Sequence, residues 1–285
     1  MGYSAADVRP LLLDTWNYLQ CRESSDPREP APGRVDFFAL NSYSWCGDSS
    51  YTTSGYDVLV SDFAKTSVPV FFSEYGCNVP TPRIFTEVPS LYGPDVTPVL
   101  SGGLVYEYSE EDSNYGLVTL NTDGTATVLG DYDSLQKQFN TLNTTLLQGL
   151  QAQNTTNDIP VCKPSLIVSP DFLKNFTLPA VPPGAQTLID NGISNPNQGK
   201  LVPVTALDVK QVVKSSNGVV ITGLAIKPLA DDQSNVPSGQ TPPSTTSTAP
   251  PAATTSKKSA APSVQRDWAG LALASLVVVA WVALN

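Results

Sequence analysis

Glu74 occupies a position that asks for a chemical reason. It follows the apolar run Val68-Pro-Val-Phe-Phe72 and Ser73, and it precedes Tyr75-Gly76. A carboxylate at the end of a buried strand is costly unless it is hydrogen-bonded or put to acid–base or nucleophilic work. The plainer alternative is a rim glutamate in an ion pair. Two further apolar runs end in the same way. Val35-Asp-Phe-Phe-Ala-Leu40 opens into Asn41-Ser-Tyr43-Ser-Trp45-Cys46, and Leu100-Ser-Gly-Gly-Leu-Val105 opens into Tyr106-Glu-Tyr108. Asn41 and Glu74 are 33 residues apart, and Glu74 and Tyr106 are 32 apart. The 285 residues include no histidine, which excludes a Ser–His–Asp triad, a Cys–His dyad and a His-ligated metal within this chain. No cofactor is expected.

The elements that must position these residues follow from periodicity. The three apolar runs read as buried strands. Between the first two, Gly55 to Thr66 carries Tyr56, Leu59, Val60 and Phe63 at helical spacing, and a helix of the same kind is expected from an N-cap at Ser4 through Val8, Leu12 and Trp16. A strand–helix period of this length, with chemistry at the strand C-terminal ends, describes a (β/α)₈ barrel. A doubly wound α/β sheet fits the period too, but no glycine-rich phosphate loop accompanies it. Three or four strands are half of the eight that a closed barrel needs. The expectation is therefore the C-terminal half of a barrel over residues 1–162, with the other half upstream. Tyr115 to Leu120 and Thr125 to Leu129 alternate around Asp123-Gly124, a hairpin signal, and Asp131 to Leu150 reads as one amphipathic helix. Residues 163–236 are Pro-rich and read as irregular with short strands such as Gly218 to Thr222.

Composition and the C-terminal region bear on location. The net charge of -10 argues against nucleic-acid binding, which needs a basic surface. Between Pro237 and Ser263 lie 27 residues of which 18 are Pro, Ser or Thr, a linker too polar to pack a core. Residues 264–285 then form a tail in which Trp268 to Leu284 carry no charge. Small residues, a short polar spacer and an apolar run make up the GPI-attachment pattern, with Ser256, Ser259 and Ala260 as candidate sites and Ser259 the best placed; a tail-anchored helix is the alternative. Either places the chain at a membrane, and a GPI anchor places it on the extracellular face of the plasma membrane and in the cell wall. Met1-Gly-Tyr-Ser does not form a signal peptide, so a leader is expected upstream along with the missing strands. Asn143, Asn154 and Asn175 each head an N-x-[ST] sequon. Cys21, Cys46, Cys77 and Cys162 contain no C-x-x-C pair; they are either free thiols or two disulfides in one of three connectivities, and the secretory signals favour disulfides.

The strand-end motifs carry a family resemblance. Phe71-Phe-Ser-Glu74-Tyr-Gly-Cys77-Asn78, Asn41-Ser-Tyr43-Ser-Trp45-Cys46-Gly, and Leu100 to Tyr108 followed by Asn114-Tyr115-Gly-Leu-Val resemble segments of the fungal β-1,3-glucanosyltransferases of glycoside hydrolase family 72. Gly2 to Arg9 and Asp14 to Cys21 match as well, so that the resemblance covers roughly residues 1–165. It implies a retaining transglycosidase on a (β/α)₈ barrel that splits β-1,3-glucan and elongates another chain of it in the cell wall. It implies Glu74 as the nucleophile and Tyr43 as a substrate-binding residue that hydrogen-bonds the nucleophile or the sugar. Asn41, Tyr106 and Tyr115 would contact the sugar, with Trp45 as a further stacking candidate. It also implies the disulfides Cys46–Cys77 and Cys21–Cys162. One departure stands out. The family's acid/base is the glutamate of an Asn-Glu pair, and no Asn-Glu dipeptide occurs here. Glu107, Glu110 and Glu111 match no acid/base motif. The chain alone is therefore expected to be inactive, and a non-catalytic glucan-binding or structural wall protein is the alternative.

Overall fold

The computed structural model describes residues 1–29, 31, 33–151, 159–177, 179–200 and 202–230. Asn154, Ser259, the linker 237–263 and the tail 264–285 lie outside the described residues.

Four parallel strands make the first sheet: β1 (Gly2–Ala6), β2 (Phe37–Asn41), β3 (Val70–Tyr75) and β4 (Leu100–Val105), in the spatial order β1-β2-β3-β4. Helices α1 (Arg9–Gln20), α2 (Tyr56–Phe63) and α3 (Glu87–Leu91) connect successive strands. An order that never reverses is that of a singly wound sheet, as in one sector of a barrel. A doubly wound sheet would place a later strand on the far side of the first. The core lies between the sheet and these helices. Phe38, Leu40, Val70 and Phe72 from the strands are completely buried together with Leu59, Phe63, Val88 and Leu91 from the helices. Trp16 of α1 meets the edge of the Phe63 ring at 5.6 Å. On the other face, Phe37 packs against Phe71, and Phe37 and Leu104 stay 40% and 56% exposed.

Two local expectations are corrected. Ser4 does not cap a helix. It sits in β1, paired in register with Ala39 of β2. A helix starting at Ser4 would place Pro10 in its interior, without the N–H that the ladder needs. Starting at Arg9 puts Pro10 in the first turn, where no N–H partner exists. The single helix over 131–150 is two: α4 (Gly130–Phe139) and α5 (Thr144–Gly149). Asn143 starts the second, its side-chain oxygen accepting from the Leu146 N–H at 3.0 Å, an N-cap in mid-pattern.

The hairpin around Asp123-Gly124 forms as β5 (Val118–Leu120) and β6 (Ala126–Val128), antiparallel. It extends into a second sheet through β7 (Val213–Lys214) and β8 (Val220–Ile221), in the order β5-β6-β7-β8. One helix, α6 (Ala185–Asn191), precedes β7. The segment after Cys162 is thus tied to the hairpin. It is also docked along α1: the buried Asp14 carboxylate accepts the Val168 and Ser169 N–H groups at 2.8 and 2.7 Å, and Phe176 stacks on Tyr18 at 4.9 Å.

Candidate active site

The site forms where β2, β3 and β4 end side by side. Asn41 and Glu74 are paired in register, with a shift just after Leu40, and Ser42 N–H donates to the Glu74 carbonyl at 2.9 Å. That irregularity turns Tyr43 over the strand end. Its hydroxyl donates to Glu74 Oε2 at 2.7 Å. Burial, reinforced by the hydrogen bond to Glu74, pushes the Tyr43 phenol well above the ordinary tyrosine range. Tyr43 is therefore a committed donor at any ordinary pH, and it fixes one carboxylate oxygen while leaving the other open. None of the ion pairs among the described residues involves Glu74. The rim ion pair considered for it is not what holds it.

Two more tyrosines complete a wall. Tyr106, directly after β4, and Tyr115 meet edge-on at 5.4 Å, and Tyr43 lies edge-on to them at 6.3 and 5.6 Å. The Tyr106 phenol is raised chiefly by the neighbouring Glu107 carboxylate, with Glu111 and Glu74 adding to it. The residues predicted for this site thus converge, with two differences. Asn41 faces the sheet interior, where its side-chain oxygen accepts from Ser4 and Ser73 hydroxyls at 3.0 and 2.6 Å and links three strands. Trp45 is not a sugar-stacking surface. It is 6% exposed, packs on Tyr56 at 5.1 Å and donates its indole N–H to Thr86, because the turn after Tyr43 swings it back behind the sheet.

The carboxylates that follow β4 are engaged locally. Glu107 accepts from the Ser113 hydroxyl at 3.1 Å, and Glu110 accepts the Gly116 N–H at 2.6 Å. Gly116 tolerates no side chain, since a Cβ there would fall 2.2 Å from the Glu110 backbone.

The two disulfides join Cys46 to Cys77 and Cys21 to Cys162. The first clamps the turns that follow Tyr43 and Glu74, each three residues before its cysteine. Closing a loop of that size stabilises by about 3–4 kcal/mol in the chain-entropy picture. The second fastens the end of α1 to the segment docked on it. Asn143 and Asn175 are both exposed, Asn175 with its side-chain oxygen bonded to the Thr177 N–H at 2.9 Å.

The sequence reading missed Arg83. It is 2% exposed and pairs with Asp131 at 2.6 Å, and it lies over the Phe85 ring at 4.9 Å. The available signal was weak: a lone arginine in the loop Val79-Pro-Thr-Pro-Arg83 between two apolar stretches.

Comparison with known proteins places this geometry. The family model described as Glucanosyltransferase matches residues 1–143. The 1,3-beta-glucanosyltransferase gel2 of Aspergillus fumigatus is 49% identical over 245 residues, which are 86% of this chain and 50% of the relative. The probable 1,3-beta-glucanosyltransferase GAS3 of Saccharomyces cerevisiae is 42% identical over 71% of this chain and 40% of its own length. The chain thus spans about half the length, or less, of these relatives. Among solved structures, Saccharomyces cerevisiae Gas2p in complex with laminaritriose and laminaritetraose superposes with a TM-score of 0.51 and 32% identity, over 66% of this chain and 40% of that one. The four-stranded sheet is accordingly a sector of a (β/α)₈ glycosidase barrel, and the chain belongs to the glucanosyltransferase family, glycoside hydrolase family 72.

Proposed function

We propose that the protein to which these residues belong is a 1,3-β-glucanosyltransferase that splits and elongates β-1,3-glucan by a retaining mechanism. The observation that carries this is the Tyr43–Glu74 hydrogen bond of 2.7 Å at a barrel strand end, in a chain of this family. Glu74 attacks the anomeric carbon and forms a glycosyl ester, while a general acid protonates the departing glycosidic oxygen. The hydroxyl of an acceptor glucan then attacks the same carbon, gives its proton to that group acting as base, and releases the Glu74 carboxylate. Tyr43 orients the nucleophile, and Tyr106 and Tyr115 face the sugar. The 285 residues supply no Asn-Glu acid/base, so they transfer no glucan by themselves. The general-acid role alone is worth roughly 10²–10⁴-fold. That same lack favours a second reading, glucan binding without turnover.

The test joins the chain to an upstream half-barrel bearing an Asn-Glu strand end and supplies a reduced laminari-oligosaccharide. Products longer than the donor are expected, and Glu74→Gln should abolish them. Elongation that survives Glu74→Gln sinks the assignment of the nucleophile, and elongation by the 285 residues alone sinks the need for a second half. The order of small residues, spacer and apolar run over 256–284 supports GPI attachment at Ser259, and so a place on the outer face of the plasma membrane and in the cell wall. Release of the protein from membranes by a phosphatidylinositol-specific phospholipase checks this. N-glycans at Asn143, Asn154 and Asn175 belong to the same secretory reading.

A further inference from the structure

The tyrosine wall beside Glu74 is built on loops, and loops need something to hold them. Tyr106 and Tyr115 bracket a stretch with no strand or helix of its own, and Gly76 follows Glu74 and Tyr75 out of β3. One buried side chain touches all of these places. Arg83 Nη1 donates to the Tyr106 carbonyl at 2.8 Å and to the Gly76 carbonyl at 3.5 Å. Its Nη2 donates to the Tyr115 carbonyl at 2.6 Å and to the Gly116 carbonyl at 3.2 Å. Its Nε donates to Asp131 Oδ2 at 2.6 Å. A guanidinium has five N–H groups in a fixed planar fork, and here there are five acceptors, four of them backbone carbonyls of the segments that carry the site. Two rings pack against the guanidinium, Phe85 at 4.9 Å and Tyr115 at 5.8 Å. Phe85 itself has φ 53°, a left-handed backbone that a bulky residue rarely adopts. The loop is shaped to put that ring under the guanidinium.

We propose that Arg83 is the positioning residue of the Glu74 site: its fork fixes the Tyr106 and Tyr115 backbones relative to the end of β3, and so sets the three-tyrosine wall against which the sugar binds. Arg83 itself touches no reacting atom. The inference rests on the reading of Glu74 and the tyrosines as the glucan-facing group. A lysine would keep the charge and could keep Asp131, but a single ammonium cannot span carbonyls on three segments. Arg83→Lys should therefore loosen the wall without removing the ion pair.

The experiment is NMR on the full 285-residue chain with ¹³C-labelled tyrosine rings, with laminaritetraose as the probe. In Arg83→Lys the ring signals of Tyr43, Tyr106 and Tyr115 should move, while those of Tyr56 and Tyr75, packed between sheet and helices, should stay. Laminaritetraose affinity should fall by about tenfold or more, as displaced positioning groups typically cause. Unmoved mouth tyrosines overturn the inference, and so does a shift of all five, which would mark Arg83 as a general core residue. A wild-type chain that fails to bind laminaritetraose overturns the glucan reading instead, and the ring signals still decide the role of Arg83. A second measurement needs no variant. All five guanidinium protons of wild-type Arg83 should give separate, slowly exchanging signals, and one averaged, rapidly exchanging signal overturns the inference even if Arg83→Lys does not fold.

Discussion

Two groups of three tyrosines lie on either side of the end of β3, and their surroundings differ. Tyr56, Tyr75 and Tyr92 are sealed between the sheet and its helices, each no more than 5% exposed. Tyr43, Tyr106 and Tyr115 stand beyond the strand ends and are partly open to solvent. The inner group is there for its rings. Tyr56 meets Trp45 and Phe72 at 5.1 and 5.2 Å, yet its hydroxyl has no hydrogen-bond partner. The Tyr75 hydroxyl lies beside that of Tyr92 without reaching hydrogen-bonding geometry, and Tyr92 alone is satisfied, donating to the Gly103 carbonyl at 3.0 Å. In the outer group the Tyr43 hydroxyl is engaged with the carboxylate that defines the site. Burial raises the phenols of Tyr56 and Tyr75 first and foremost, whereas a neighbouring carboxylate, Glu107, is the leading cause for Tyr106. The same residue type is core on one side of a strand and equipment on the other.

Substitutions can break that contrast, the largest effect coming from the inner group. Tyr56→Ala empties a fully buried site and should cost about 3–5 kcal/mol in urea unfolding. Tyr56→Phe removes only an unpartnered hydroxyl, and should be neutral or stabilise by up to about 1 kcal/mol. A clear loss in Tyr56→Phe would mean that the hydroxyl is satisfied after all.

Glu87 gives an intermediate effect with a pH signature. It is 4% exposed at the start of α3, the Arg83 guanidinium is the charge that acts on it, and its own charge helps to raise the Tyr56 and Tyr75 phenols. Burial pushes it from 4.5 up to about 7, against the opposing pull of its own backbone N–H and of Arg83. A carboxyl whose folded-state value is raised favours the fold fully below its unfolded value, and this advantage is lost as pH rises through the folded value. Stability should therefore decline between about pH 4.5 and pH 7 by on the order of 3 kcal/mol from this group alone. Glu87→Gln should remove that part of the slope and leave the protein more stable than wild type at pH 8. Equal slopes for the two proteins in urea titrations at pH 5 and pH 8 would show that Glu87 is not the source.

The outer group should respond the other way, with little change in stability and a large one in activity. Tyr43→Phe leaves the rings in place and takes one charge-assisted hydrogen bond from Glu74. Such a bond is worth about 1.5–3 kcal/mol, so laminari-oligosaccharide elongation by the joined enzyme should slow by roughly ten- to a hundredfold. Unfolding should shift by less than about 1 kcal/mol. A stability loss as large as that of Tyr56→Ala would place Tyr43 with the core tyrosines.

The sequence by itself determined β2, β3 and β4, the helix between β2 and β3 and the hairpin. Val-Phe-Phe runs closed by polar residues, apolar residues at helical spacing, and alternation around Asp123-Gly124 are local signals, and short-range sterics answer to them. It also brought Glu74, Tyr43 and Tyr106 to adjacent strand ends, since a repeat of 33 and 32 residues places them there once the strands pair in order. Only the tertiary structure decided the rest. Ser4 reads as a helix cap until β2 is there to pair with it. The pattern over 131–150 is continuous until Asn143 caps the second helix. Trp45 and Tyr43 stand two residues apart in one motif, and only the turn after β2 sends one to the core and the other to Glu74. Arg83 was invisible because its partners are backbone carbonyls, present at every residue and encoded by none. Their convergence on one guanidinium exists only after three segments have folded around it.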